Sequence, residues 1–147
     1  MEFAELDREL SKTFNLQEES VFVLKPKKYY NLLEFTYPEE LKGITIPLMN
    51  QSILGKAVMH KSPIIVNDFQ GEADIIHLNL ITMGHTQPSI RKMIVYPICL
   101  ARNILAVLLV VRKDHDGSLF QNFIGEDLRK IKSAVDNMIY LQSVKLV

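Results

Sequence analysis

The sequence has a single cysteine, Cys99, no excess charge of either sign and no apolar run of membrane length. One cysteine excludes a disulfide within the chain and fits a reducing compartment. The 17 basic residues are balanced by 17 acidic ones. Such a balance gives neither the strongly basic surface of a nucleic-acid binder nor a polyanionic tail. No apolar stretch approaches the roughly 20 residues of a bilayer span. The start, Met1-Glu2-Phe3-Ala4-Glu5, is acidic and unlike a signal peptide. These absences lead to the expectation of a cytoplasmic protein with neither membrane nor nucleic acid as partner. The 6 glycines are scattered singly, so no phosphate-cradling loop is present. Ser52, Ser62, Ser89, Ser118, Ser133 and Ser143 lack the context of a nucleophile elbow. His60, His77, His85 and His115 do not have the close spacing of a metal motif. With no nucleophile–base constellation in view, the chain is not expected to be an enzyme, and the cofactor question stays open. Internal repeats and low-complexity tracts are also missing.

What is present is ordinary globular composition over 147 residues, 48% hydrophobic and 23% charged, enough for one domain with a real core. Its most telling stretch is residues 93–111. Met93 to Leu100 and Ile104 to Val111 are strand-length, β-branched runs joined by Ala101-Arg102-Asn103. A short gap with Asn favours a hairpin. Neither run alternates apolar with polar, so both faces of the hairpin must be covered. Cys99 reads here as a small buried hydrophobe.

The remaining elements follow from periodicity and breakers. Phe3, Leu6, Leu10 and Phe14 form the stripe of an amphipathic helix over residues 2–13. Residues 21–24 and 29–37 read as strands ending at Pro26 and Pro38, with Lys25 to Lys28 turning between them. A short extended piece is expected at 44–46. Asn50 or Ser52 can cap a helix whose apolar face is Ile53, Leu54, Ala57 and Val58, running to about His60. Residues 63–66 form a short strand closed by Asn67-Asp68. Residues 71–88 are the least regular, with a helix expected at 72–80; a long connection of this kind is more often functional than filler. After a polar turn at 113–117, a long helix covers residues 125–144. Its stripe, Ile124, Leu128, Ile131, Val135 and Met138, suits packing on a sheet and also a two-helix seam. No Gly or Pro stops this helix before Val147, so a homodimer through the helix end, or a longer parent protein, is expected.

In this order the elements resemble the GAF domain family over nearly the whole chain. Leu54-Gly55-Lys56-Ala57-Val58 looks like the family's helix with Gly before a small residue. Pro63-Ile64-Ile65-Val66-Asn67-Asp68 looks like its Pro-led strand ending in Asp, and Ile94-Val95-Tyr96-Pro97-Ile98 like its strand with an internal Pro. Phe120 or Phe123 followed by Glu126-Asp127-Leu128 looks like the approach to its last helix. The family's usual glycines around the hairpin are absent; Asn103 holds the turn and Ala106 keeps a small residue. The resemblance implies an α+β, PAS-related fold. A central antiparallel sheet would carry the N- and C-terminal helices on one face and a pocket-forming helix and loop layer on the other. It implies a small-molecule-sensing regulatory domain in signal transduction, dimeric through its terminal helices and acting on an output domain or effector protein. The alternative is a ligand-free dimerisation or protein-interaction module whose pocket is filled by its own side chains.

Under the resemblance, residues near the irregular segment become pocket-wall candidates: His77, His85, Thr82 and Asn67. Tyr96 joins them because it pairs an apolar ring with a polar tip; both faces of its strand are apolar, so it can equally face the helices. Cyclic-nucleotide-binding members carry an Asn-Lys pair, a Phe and an Asp-Glu pair. Lys113, Phe123 and Asp127 could match, with a Lys113–Asp127 surface ion pair as the remnant. Arg112 and Leu128 stand where Asn and Glu would be.

Overall fold

The computed structural model describes residues 3–27, 31–82 and 89–145. Helix α1 spans Phe3–Phe14, followed by β1 (Val21–Lys27) and β2 (Leu32–Tyr37). A single 3-10 turn at Glu39–Leu41 leads to β3 (Thr45–Pro47), α2 (Ile53–His60), β4 (Ile64–Val66) and α3 (Ala73–Thr82). The chain then forms β5 (Ile90–Leu100), β6 (Asn103–Lys113) and α4 (Gly125–Lys145). The six strands make one antiparallel sheet in the order β3-β2-β1-β6-β5-β4.

The two apolar runs form the central hairpin, and each of its faces has its own core. Along β5, Ile94 and Ile98 point to one side while Met93 and Val95 point to the other. Along β6, Ala106, Leu108 and Val110 alternate in the same way with Val107, Leu109 and Val111. The period of two sorts a continuous apolar run into two surfaces. One is sealed by α1 and α4 through Leu6, Leu10, Ile131, Val135 and Met138. The other is covered by α2 and α3 through Leu54, Ala57, Ile75 and Leu78.

Local chemistry fixes the smaller elements. Ser52, with extended φ and ψ, caps α2 by accepting from Gly55 N–H at 2.9 Å. Gly55 is required there, because a Cβ would stand 1.8 Å from the Met49 carbonyl oxygen. Asp127 closes the start of α4 by accepting from the Ile124 N–H at 2.8 Å, the reach-back half of a capping box.

The structure corrects several expectations. Lys25 and Lys27 are not a turn: β1 continues through Pro26, which pairs with Leu33. Pairing of β1 with β6 runs to Leu24, which faces Val107, and a residue without an N–H is tolerated beyond it. Strand β2 starts at Leu32, and Tyr29 lies outside the described residues. Asn103 is the first residue of β6, paired with Leu100; the turn is Ala101-Arg102, with Ala101 at φ 57°. Cys99 is exposed, at the end of β5 where the register shifts between Ile98 and Cys99, as a bulge re-aims the side chains beyond it.

Candidate functional site

The described residues leave an open cleft of about 280 Å³ where α3, the segment before it and the start of β5 meet. It is lined by the apolar Ile75, Ile76 and Ile90 and by the charged Asp68, Glu72 and Arg91. Asn79 fixes one wall, accepting from the Ile90 N–H at 2.8 Å and so tying α3 to the first residue of β5. Gln70 organises the acidic side: its N–H donates to Glu72 Oε2 at 2.8 Å and its amide to Asp68 Oδ2 at 3.0 Å. Arg91 is engaged by Asp114, with contacts of 2.6 and 3.2 Å, and this pair raises its pKa further above the ordinary value.

Beneath the cleft, the space between α3 and the sheet is occupied by the protein's own side chains. Leu54, Ile75, Leu78, Met93 and Val95 are all buried there. Asp74 is buried beside them, and its Oδ2 accepts from the Leu54 N–H at 2.9 Å, which joins α3 to the first turn of α2. Its other oxygen has no partner among the described residues.

Among the described residues, the sequence-derived pocket candidates are not brought together. Thr82 is buried, and its hydroxyl donates back along α3 to the Leu78 carbonyl at 2.8 Å. His77 is half-buried on α3 and does not line the cleft. Asn67 adjoins the cleft residue Asp68, but both ends of its amide bond the backbone of Phe123, at 2.9 and 2.8 Å. Tyr96, whose face was left open, lies on the side covered by α4. Burial first, and then Asp136, raise its phenol above the ordinary value. His85 lies outside the described residues. Glu72, Asn79 and Arg91 were missed; the signal available was Asn79, a polar residue between Leu78 and Leu80.

The Lys113–Asp127 ion pair is not formed. Lys113 is buried and donates to the carbonyls of Glu18 and Glu19, both at 2.8 Å, and burial lowers its pKa. Asp127 has Lys130 as its cationic neighbour, at 3.8 Å. Arg112, the departure from the family pattern, holds the ends of both terminal helices. Its Nη1 donates to the Phe14 carbonyl at 2.8 Å and to Ser118 Oγ at 2.6 Å, and its guanidinium lies 4.6 Å from the centre of the Phe123 ring. Burial lowers its pKa, against the pull of Asp116 and Asp127.

The helical stripe of α4 is largely consumed within the chain. Ile131, Val135 and Met138 are buried against the sheet and α1, Leu128 is half-buried, and Ile124 is exposed. The sheet's apolar face needs that cover, so Ile131, Val135 and Met138 are taken up within the chain, while Ile124 and part of Leu128 stay accessible. Among the described residues no group of three or more His, Cys, Asp or Glu side chains could hold a metal ion. No helix among them is long and apolar enough to cross a membrane.

A six-stranded antiparallel sheet with two terminal helices on one face and two short helices on the other defines a class of α+β domain. Solved structures identify the class as GAF. The GAF domain of a two-component sensor histidine kinase from Bacillus halodurans is 17% identical, with a TM-score of 0.59 over 99% of this chain and 97% of that one. A methyl-accepting chemotaxis protein segment is 15% identical, with a TM-score of 0.64 over 99% of this chain and 88% of that one. The second GAF domain of DevS from Mycobacterium smegmatis is 16% identical, with a TM-score of 0.56 over 97% and 96%. No family model matches the sequence, and no curated protein matches it. The chain has the GAF fold.

Proposed function

We propose that this chain is a non-catalytic regulatory GAF-type domain of a cytoplasmic signalling protein, and that it works as a protein-interaction module. The sensor kinase and chemotaxis protein among its structural neighbours support the signalling role. One observation carries the interaction reading. Where a sensor of this fold would hold its ligand, Leu54, Ile75, Leu78, Met93 and Val95 belong to one buried apolar cluster. A ligand there would have to displace well-packed side chains, at a cost of about 1–3 kcal/mol for overpacking alone. A homodimer formed through α4 would use Tyr140, Leu141 and Val144, which are exposed near its end.

A second reading, a small-molecule sensor, is favoured by the open cleft beside Asn67. A ligand binding there would act through Asn67 on Phe123 and hence on α4, provided it preferred one arrangement of that link. Native mass spectrometry of gently purified protein separates the two. The interaction reading predicts the mass of the chain, or of its dimer, alone. A stoichiometric small-molecule adduct would overturn it in favour of the sensor.

A further inference from the structure

Helix α3 is apolar on both faces. Its inner face carries the buried Ile75 and Leu78, while Ile76 and Leu80 are 53% and 75% exposed on the outer one. A surface helix ordinarily turns one apolar stripe inward and a polar face to water. Ile76 and Leu80 are four residues apart and share a face. Ile76 also lines the cleft, so the outer stripe of α3 runs directly into it.

The charge around this surface is one-sided. Asp68 and Glu72 line the cleft, and among the described residues lining it the one cation, Arg91, is matched by Asp114. The total charge of the chain is zero, so the excess is local. At about 280 Å³ the cleft is just below the roughly 300–1,000 Å³ of small-molecule sites, and it suits the anchor side chain of a partner. Apolar anchors in a small pocket dominate interface energetics, and complementary charge around them selects the partner.

We infer that the cleft and the outer face of α3 form a docking surface for an amphipathic segment of another protein, one with an apolar anchor flanked by Lys or Arg. Charge complementarity selects this occupant: an acidic segment meets Asp68 and Glu72, and a neutral one adds no cation to the two carboxylates that Gln70 bridges. The inference rests on the interaction reading above and names the partner's chemistry.

A random peptide library displayed against the immobilised full chain tests it, using protein shown by native mass spectrometry to carry no small molecule. The expected winners hold an apolar residue between basic ones. They should lose about tenfold or more in affinity on Leu80→Ser and on Asp68→Lys. Both substitutions are at exposed positions, and urea denaturation checks that each variant remains folded. Winners that are acidic or neutral, winners that bind both variants as well as the wild type, or no enrichment at all would overturn the surface assignment. An adduct in the mass spectrum would instead overturn the interaction reading itself.

Discussion

Asn67 satisfies both backbone polar groups of Phe123. Its Nδ2 donates to the Phe123 carbonyl at 2.9 Å, and its Oδ1 accepts the Phe123 N–H at 2.8 Å. One side chain at the end of β4 thereby fixes the start of α4, although 56 residues separate the two in sequence. Asn67→Ala leaves an N–H and a C=O beside a buried ring without their partner. The expected cost is about 1–3 kcal/mol in urea unfolding. Hydrogen exchange should accelerate first at the beginning of α4, and an unchanged exchange pattern there would show that the link does not hold the helix.

Gly55→Ala normally gains helix propensity, on the order of 1 kcal/mol. Here the added Cβ would meet the Met49 carbonyl oxygen at 1.8 Å, so the segment before α2 must move. The clash outweighs the propensity. We expect a net loss of about 1–3 kcal/mol in thermal or urea unfolding, whereas a stabilised variant would contradict the close approach.

Tyr37 joins β2 to α1 by donating its hydroxyl to Asp7 Oδ2 at 2.5 Å. Burial first, and then this bond, raise the phenol's pKa. Tyr37→Phe removes a hydrogen bond to a charged acceptor and should cost about 1.5 kcal/mol. The loss should depend on the partner: in an Asp7→Asn background the same substitution should cost less, as a double-mutant cycle will report.

Asp116 receives the Ser118 hydroxyl at 2.5 Å, the Ser118 N–H at 2.8 Å and the Gln17 N–H at 3.2 Å. Burial pushes its carboxyl up, but these bonds and Arg112 outweigh it and hold the pKa below the ordinary carboxylate value. The unfolded chain therefore binds the proton more readily. The stabilisation is fully present above the unfolded value and is lost as pH falls through the lower, folded one. Asp116→Asn should lower stability at neutral pH and flatten the acid limb of the stability profile. A variant with the wild-type acid limb would show that Asp116 does not contribute.

The central hairpin was legible because two β-branched runs without alternation admit few other structures. Its turn was misplaced by one step, because Ala101 adopts a left-handed φ that no residue preference announces. Cys99 was read as buried because a register shift leaves no mark in composition. Tyr96 could not be assigned a face, since a strand covered on both sides offers no contrast between them. Local chemistry narrowed the cap of α2 to Asn50 or Ser52, and Ser52 provides it; the need for Gly55 comes from the close approach of the Met49 carbonyl, which only the folded chain brings about. The candidate site was less legible. Asn67 was chosen as a polar residue on a loop, yet its amide is taken up by the backbone of Phe123, a partner that only the folded chain brings near. Lys113 matched a motif but satisfies two carbonyls of the α1–β1 connection instead.

The central claim is that the layer between α3 and the sheet is packed with the protein's own side chains and that recognition takes place outside it. Methyl NMR of the full chain tests this directly, with Leu78 and Met93 reporting on the packed layer and Ile76 and Leu80 on the outer surface. The low-molecular-weight fraction of a cell extract should leave all of these methyls unmoved. A basic amphipathic peptide should shift Ile76 and Leu80 alone. Shifts at Leu78 and Met93 on adding the extract would show a small molecule entering the layer and would contradict the account.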